Sequence, residues 1–301
     1  MQRKIKGLLT FKVVEPAQLI AFIMDKMHGV SRNRAKALIS NRVVLVNNTI
    51  TTHPLAELKP GDVVQLDRSK HKKSFHCKEL DIVFEDPYLF VIDKHPGLLS
   101  MSNNSRQQTV QTVLNRYLEK GGGRNTSHLV HRLDRDTSGL MMFAKSIEAK
   151  EAMQHNWNNM VLSRNYVAVV EGIVEEESGT IRSWLDETSQ FEVYSTQQEG
   201  KGQLAITRYR LLDKGHGYSL LEFSLDTGRK NQIRVHAAKE LKHPIVGDRK
   251  YGAQSSPINR LALHARSLRF AHPITKVDMN FELPVPSRFA GLVKYGKNKQ
   301  K

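Results

Sequence analysis

The chain runs to 301 residues, 39% of them apolar, with a formal net charge of +16 and a single cysteine. That length can bury a full-sized core with room for two domains, while the lone Cys77 excludes an internal disulfide and a multi-thiolate zinc site and fits a reducing cytoplasm. No apolar run reaches membrane-spanning length, no lipidation signal is present, and Met1–Leu9 lacks the apolar core of a signal peptide, so the basic excess points to a polyanionic partner. Residues 1–78 hold 15 Lys/Arg against 5 Asp/Glu, and the other 223 residues hold 31 against 25, so the N-terminal quarter carries most of the charge.

Residues 12–67 read as a small independent module. Leu19–Met24 opens a helix that ends near His28-Gly29, and Ser31 caps a second helix running through Asn41. On this second helix Ala35, Leu38 and Ile39 face inward, while Arg32, Arg34, Lys36 and, just beyond it, Arg42 stay outside. Val43–Val46 is a strand, Asn47-Asn48 a tight turn and Thr49-Ile50 the return; Pro60-Gly61-Asp62 then turns the chain into Val63–Leu66. A basic helix alone is often just a solvated face. The order of elements, with Ser31-Arg32, Ala35-Lys36, Ile39, Val44, Val46-Asn47 and Gly61-Asp62, resembles the RNA-binding domain first seen in small-subunit ribosomal protein S-four. The resemblance implies a small α/β domain over residues 1–67, in which Arg32, Arg34 and Lys36 hold structured RNA largely through phosphates.

Residues 68–79 are polar and basic and read as a linker that also touches phosphate. From Leu80 the texture changes. Leu80–Asp86 is strand then turn, and Leu89–Lys94 is a strand stopped by His95-Pro96-Gly97. A helix covers Val110–Leu118, the Gly121–Gly123 tract is loop, and a second helix lies around Ile147–Asn158. Strands follow at Asn165–Val170, Ala205–Tyr209, Tyr218–Phe223, Leu261–Ala265 and Met279–Phe281, with a helix from near Asn231 to Lys239 between them. Residues 80–293 therefore read as an α+β domain built on a mixed, mostly antiparallel sheet, and residues 294–301 as a frayed basic tail.

Within this domain His131-Arg132-Leu133-Asp134-Arg135-Asp136 crowds five ionisable side chains into six positions. It leads through Asp136-Thr137-Ser138-Gly139, good turn chemistry, into the apolar run Leu140–Ala144, which reads as a buried strand. Charges held against a core are costly unless paired. Alone, the stretch reads as a surface turn with salt bridges. Three others matter beside it: Arg164-Asn165-Tyr166, the turn and helix Asp226–His236 carrying Arg229 and Arg234, and Pro244–Asp248.

Together these stretches resemble the RluA-type pseudouridine synthases, which isomerise uridine in ribosomal and transfer RNA. The most specific matches are His131–Asp134 with Thr137-Ser138-Gly139, Thr227-Gly228-Arg229 with Gln232–His236, and His243-Pro244-Ile245 with Gly247-Asp248. Two departures stand out: Asn231 occupies the place of the usual His, and Lys94-His95-Pro96-Gly97-Leu98 replaces the usual Lys-Pro-Ala-Gly-Leu-like turn.

The reaction detaches uracil from ribose, turns it and rejoins it through carbon 5. Nothing is oxidised and nothing is lost, so neither cofactor nor metal is expected. A carboxylate is needed, as nucleophile or as general base. The resemblance assigns that part to Asp134; spacing alone leaves Asp136 open. The carboxylate must stay ionised in a closed pocket, and the resemblance supplies Arg234 as its partner. At about 4 Å and an effective dielectric near 20 the attraction is on the order of 4 kcal/mol, comparable to the desolvation cost it offsets. Tyr166 resembles the tyrosine that stacks on the base and assists proton transfer. Arg132 resembles the residue that enters the space vacated by the flipped nucleotide. His131, Thr137 and Arg229 are expected at the RNA or base, although for His131 a framework role, holding the loop through hydrogen bonds, is the favoured reading.

The sequence thus predicts a cytoplasmic, monomeric RNA pseudouridine synthase that acts on structured RNA, large-subunit ribosomal RNA first and transfer RNA as the alternative. Two other readings compete. A non-catalytic RNA-binding or ribosome-assembly protein on the same fold would have had no need to keep Asp134, Tyr166 and Arg234 together. A nucleoside hydrolase would need a second carboxylate to activate water, and only Asp136 is near in sequence.

Overall fold

The computed structural model describes residues 8–27, 30–40, 43–51, 53–67, 77–104, 106–120 and 126–294, without the side chains of Leu8, Asn33, Arg34, Ala37, Ser40, Asp67 and Lys120. The end of the first predicted helix at His28-Gly29, Arg42, most of the expected linker (68–76), the Gly121–Gly123 tract and the tail from 295 lie outside the described residues, as does the Arg34 side chain. The chain divides into two compact units, Met1–His76 and Cys77–Lys301.

In the first unit the elements are β1 (Leu8–Lys12), β2 (Ala17–Gln18), α1 (Leu19–Lys26), α2 (Arg32–Ser40), β3 (Val44–Val46), β4 (Thr49–Ile50), β5 (Glu57–Leu58) and β6 (Val63–Asp67). An antiparallel sheet in the order β1-β6-β3-β4 carries the unit, and β2 pairs with β5 beside it. Leu19, Ile23, Ala35, Ile39, Val44 and Val64 are all fully buried in its core. The inward face expected for α2 is therefore formed, and Arg32 and Lys36 stand exposed on the other side. Asn47 and Asn48 both take positive φ, 51° and 64°, the geometry that joins two strands by a two-residue turn.

The second unit runs β7 (Leu80–Glu85), β8 (Leu89–Lys94), α3 (Val110–Lys120), β9 (His128–Leu129), β10 (Ser138–Ala144), α4 (Ile147–His155), α5 (Trp157–Met160) and β11 (Val161–Glu171). It continues with β12 (Ser178–Glu187), β13 (Val193–Thr196), β14 (Gln203–Gly215), β15 (Tyr218–Leu225), α6 (Gln232–Val235), a wider helical turn at His236–Glu240, β16 (Leu263–Ala271), β17 (Asp278–Glu282) and α7 (Ser287–Val293). One large sheet has the order β13-β12-β14-β15-β11-β16-β10-β8-β7, with β17 added on β16 and β9 on β10. Its pairings are antiparallel except for β10 with β16, which run parallel. The fold is α+β on a mixed, mostly antiparallel sheet.

Every residue of β10 is buried, because it lies in the interior of the sheet between β8 and β16. Ser138 and Gly139 belong to this strand and not to the preceding turn, which shortens the expected loop by two residues. Gly139 has φ +111°, and a Cβ there would stand 2.2 Å from the Ala265 carbonyl oxygen of β16. Only glycine lets the parallel neighbour approach this closely. The strand thus starts abruptly, directly beneath the acid-bearing loop.

Candidate active site

Four stretches of the second unit meet around a cavity of about 900 Å³: the Asp134 loop, the turn after β8, the start of α6, and the loops before β16. Seven Lys or Arg side chains line it against three Asp, so the hollow is basic.

The Asp134 loop is clamped on both sides of its carboxylate. Ser100 Oγ donates to the Leu133 carbonyl at 2.7 Å, and the Leu133 N–H returns a bond to Ser100 Oγ at 3.2 Å. On the other side Lys94, 0% exposed, donates from Nζ to the carbonyls of Arg135 (2.7 Å), Leu98 (2.9 Å) and His95 (3.0 Å). Burial pushes the Lys94 ammonium down to about 8, with the charges of Asp136 and Asp134 working against that shift. The Thr137 N–H closes the turn on the Asp134 carbonyl at 3.2 Å.

Arg234 approaches from α6. Its Nη1 donates to Asp134 Oδ2 at 3.2 Å, and its Nε and Nη2 grip both oxygens of Asp248 at 2.7 Å each. Asp248 is 1% exposed by side chain, Arg234 15% and Asp134 24%. Burial works against the guanidinium charge, and the bidentate Asp248 with Asp134 more than offsets it, so Arg234 is held cationic. Asn231, in the left-handed region at φ 54°, joins in: Oδ1 accepts from Arg234 Nη1 (3.1 Å) and Nδ2 donates to the Tyr251 hydroxyl (2.9 Å). The Tyr251 ring lies 5.0 Å from the guanidinium carbon. Asn231, the departure noted in the sequence, is thus a bridge between arginine and tyrosine.

A buried polar network fixes α6 to the sheet behind it. Gln232 Oε1 accepts from Thr227 Oγ1 and from the Arg229 N–H, both at 2.9 Å, while its Nε2 donates to Thr207 Oγ1 at 2.8 Å. His236, fully buried, places Nδ1 2.8 Å from the same Thr207 hydroxyl and Nε2 3.1 Å from Ser183 Oγ. Burial pushes His236 down to about 4. His264 of β16 is pushed to about 4 in the same way, with Arg260 and Arg266 adding to the shift, and its Nδ1 meets Ser138 Oγ at 2.8 Å.

Tyr166 sits on β11, opposite Phe223 on one side and Ala265 on the other, and is 8% exposed. Burial raises its phenol above the ordinary value, with Arg164 opposing and the Asp134 charge reinforcing the shift. It therefore stays protonated at neutral pH.

The sequence-predicted site residues part company here. Asp134, Arg132 and Arg234 all line the cavity, and Arg132 is exposed to it. Asp136 also lines the cavity, but its carboxylate is chelated by its exposed neighbour Arg135 at 3.0–3.3 Å. Thr137 is 2% exposed, so the expected base contact gives way to a place in the framework, where its amide closes the turn. His131 is likewise framework: its Nε2 accepts the Met142 N–H at 3.1 Å, and burial with Arg164 pushes it down to about 3. Arg229 is exposed, but its Nε is spent on the Leu204 carbonyl at 3.0 Å, away from the cavity lining. Sequence reasoning gives no role at the site to Lys94 or Ser100, and places Asp248 in a matched motif without assigning it a partner. The available signals were a lysine ending a mostly apolar strand and an acid straight after a glycine. Among the described residues no group of three or more His, Cys, Asp or Glu could hold a metal ion.

A family model described as RNA pseudouridylate synthase matches residues 88–239, half of the chain, and spans both Asp134 and Arg234. The chain belongs to the RNA pseudouridine synthases, of the RluA type. It is an isomerase that converts uridine to pseudouridine in RNA. It is 33% identical over 97% of its length to an uncharacterised RNA pseudouridine synthase of Bacillus subtilis, covering 98% of that protein. It is 31% identical to the ribosomal large subunit pseudouridine synthase D of Salmonella typhimurium, over 87% of this chain and 85% of the relative. Among solved structures, human RNA pseudouridylate synthase domain containing 4 superposes with a TM-score of 0.57 at 25% identity, over 69% of this chain and 90% of the other. No helix among the described residues is long and apolar enough to cross a membrane.

Proposed function

We propose that this pseudouridine synthase acts on uridines in folded large-subunit ribosomal RNA, in the cytoplasm, with Asp134 as the carboxylate that works at the sugar and base. The observation that carries the assignment is the partnership of Asp134 with Arg234 at 3.2 Å, while the other carboxylate of the loop is taken by Arg135. In the reaction the bond from ribose carbon 1 to uracil nitrogen 1 breaks and the uracil turns in the pocket. Carbon 5 then bonds to the sugar and loses its proton to solvent, while nitrogen 1, freed from the sugar, takes up a proton in exchange. The balance is an isomerisation.

Asp134 serves as nucleophile at the sugar or as the base that takes a proton from it; in both cases it must be ionised, and the cationic Arg234 supports that. Tyr166 is 8% exposed and not among the residues lining the cavity, but its phenol feels the Asp134 charge, and in this reading it serves as a proton donor, not a general base. Arg132, exposed at the cavity, is suited to fill the gap left by an extruded nucleotide. A hydrolase reading lacks its second carboxylate, since both oxygens of Asp248 are bound to Arg234. The large-subunit relative and the basic cavity support ribosomal RNA as substrate. The first unit, with exposed Arg32 and Lys36 on α2, serves in this reading as an S-four-type anchor on the phosphate backbone.

The test uses transcripts of large-subunit ribosomal RNA and of transfer RNA, tritiated at carbon 5 of uridine. Wild-type protein should release tritium from the ribosomal transcript without added cofactor, and Asp134→Asn should release none while still binding the RNA. Normal turnover by Asp134→Asn removes the assignment of the carboxylate; release from transfer RNA alone removes the ribosomal substrate.

A further inference from the structure

The Glu187–Val193 connection between β12 and β13 carries the most exposed aromatic side chain among the described residues of the second unit. Phe191 is 71% exposed and sits in the left-handed region at φ 62°, which few residues other than glycine, asparagine and aspartate adopt. The loop is tied and not loose. The Thr188 N–H donates to the Glu192 carbonyl at 2.9 Å, the Phe191 N–H to the Thr188 carbonyl at 2.9 Å, and the Glu192 N–H to Thr188 Oγ1 at 3.2 Å. A large apolar ring is thus held out into solvent by a built turn.

Its neighbours explain where it is held. Lys250 Nζ donates to the Phe191 carbonyl at 3.2 Å, and Lys230 Nζ stands 5.7 Å from the Phe191 ring centroid. Both lysines line the catalytic cavity. Lys230 also pairs with Glu187 at the base of the loop, and Lys250 lies over Tyr251, the ring beneath Arg234. A continuous rim therefore runs from Asp134 through Arg234, Tyr251 and Lys250 to Phe191.

A bare aromatic face flanked by ammonium groups is the arrangement that binds single-stranded nucleic acid, with bases on the ring and phosphates on the cations. When a uridine leaves its stack, the base beside it loses a stacking partner, at a cost of a few kcal/mol that selective enzymes recover elsewhere. We propose that Phe191 is a stacking platform for the nucleobase adjacent to the extruded uridine, with Lys230 and Lys250 on the flanking phosphates. This rests on the reading of the cavity as the uridine site and makes Phe191 a determinant of affinity for an unstacked neighbour of the target. Stacking tolerates any base, with purines favoured by their larger face.

The test is a cycle between protein and RNA. The RNA is whichever transcript, ribosomal or transfer, yields tritium with the wild-type protein, prepared intact and with a single abasic nucleotide at each position flanking the target. For the wild type, one abasic position should weaken binding about tenfold, within the range found for removal of a stacked base. Phe191→Ala should lose about the same tenfold on intact RNA and nothing further on that one abasic RNA. Phe191→Tyr, which keeps a flat ring, should restore wild-type affinity and the abasic penalty. Wild-type affinity of Phe191→Ala for intact RNA, or losses that simply multiply at every abasic position, overturn the platform. Absence of tritium release by the wild type from every RNA would instead strike the reading of the cavity beneath it.

Discussion

The loop around Asp134 and the outer face of helix α2 are both rich in charge, yet they are built on opposite plans. Around Asp134 the framework is over-determined: Ser100 holds the residue before it, Lys94 holds the residue after it, and Arg234 holds the carboxylate while itself clamped by Asp248. On α2 only the inner side is packed, and Arg32 and Lys36 stand in solvent. Chemistry needs atoms placed to a fraction of an ångström, so its charges are buried, paired and expensive to disturb. Contact with a polyanion needs only charge at the right surface, and a mobile cation serves as well as a fixed one. Substitutions should therefore act on rate in the first region and on affinity and salt dependence in the second.

Loss of the catalytic carboxylate in Asp134→Asn should give the largest effect, abolition of tritium release. Next comes Arg234→Ala. It leaves Asp134 and the 1%-exposed Asp248 without their shared cation, and should slow single-turnover release about 10³-fold, equivalent to roughly 4 kcal/mol, with RNA affinity changed much less. An equal fall in rate and affinity would move Arg234 from chemistry to binding.

The buried histidines behind the site give a pH signature that the exposed face cannot. His236 and His264 take up protons only at about 4 in the fold, against an ordinary value near 6.5 when the chain is unfolded. Between those values the unfolded chain binds more protons. Their contribution to stability is therefore complete above pH 6.5 and is lost as pH falls toward 4, by about 2 kcal/mol per histidine at pH 5. Urea midpoints measured from pH 7 to pH 5 should fall accordingly; a flat profile would mean that these imidazoles accept protons without leaving their partners. The smallest effect is expected on α2. Reversing Arg32 and Lys36 to Glu should weaken RNA binding about tenfold and lower the salt slope by about 2, with the saturating rate of tritium release as the contrast. Unchanged affinity would make that helix a bystander.

Much of the fold was legible from the chain. The apolar run Leu140–Ala144 reads as a buried strand and the spacing of Ala35, Leu38 and Ile39 as one helix face, and the structure has both. The site was legible where a motif held it together, as with Asp134 and Arg234. It was misread where nearness in sequence stood in for nearness in space. Thr137 sits three residues from Asp134, yet strand β10 begins at its heels and draws its side chain into the core. Asp248 and Lys94 lie 114 and 40 residues from Asp134, and the motifs that contain them say nothing of which atoms they grip.

The family resemblance named Asp134 and Arg234 as partners across 100 residues; composition and pattern alone determined a basic, two-part protein with an α+β sheet in its larger part. Those properties follow from side-chain chemistry and from periods of two and 3.6 residues, which act over a few neighbours at a time. Which of the two loop carboxylates meets Arg234, which histidines are locked neutral, and which lysine pins the loop were decided only by tertiary structure. Hydrogen bonds reach about 3 Å, and whether two groups come that close is set by how the whole sheet twists and packs.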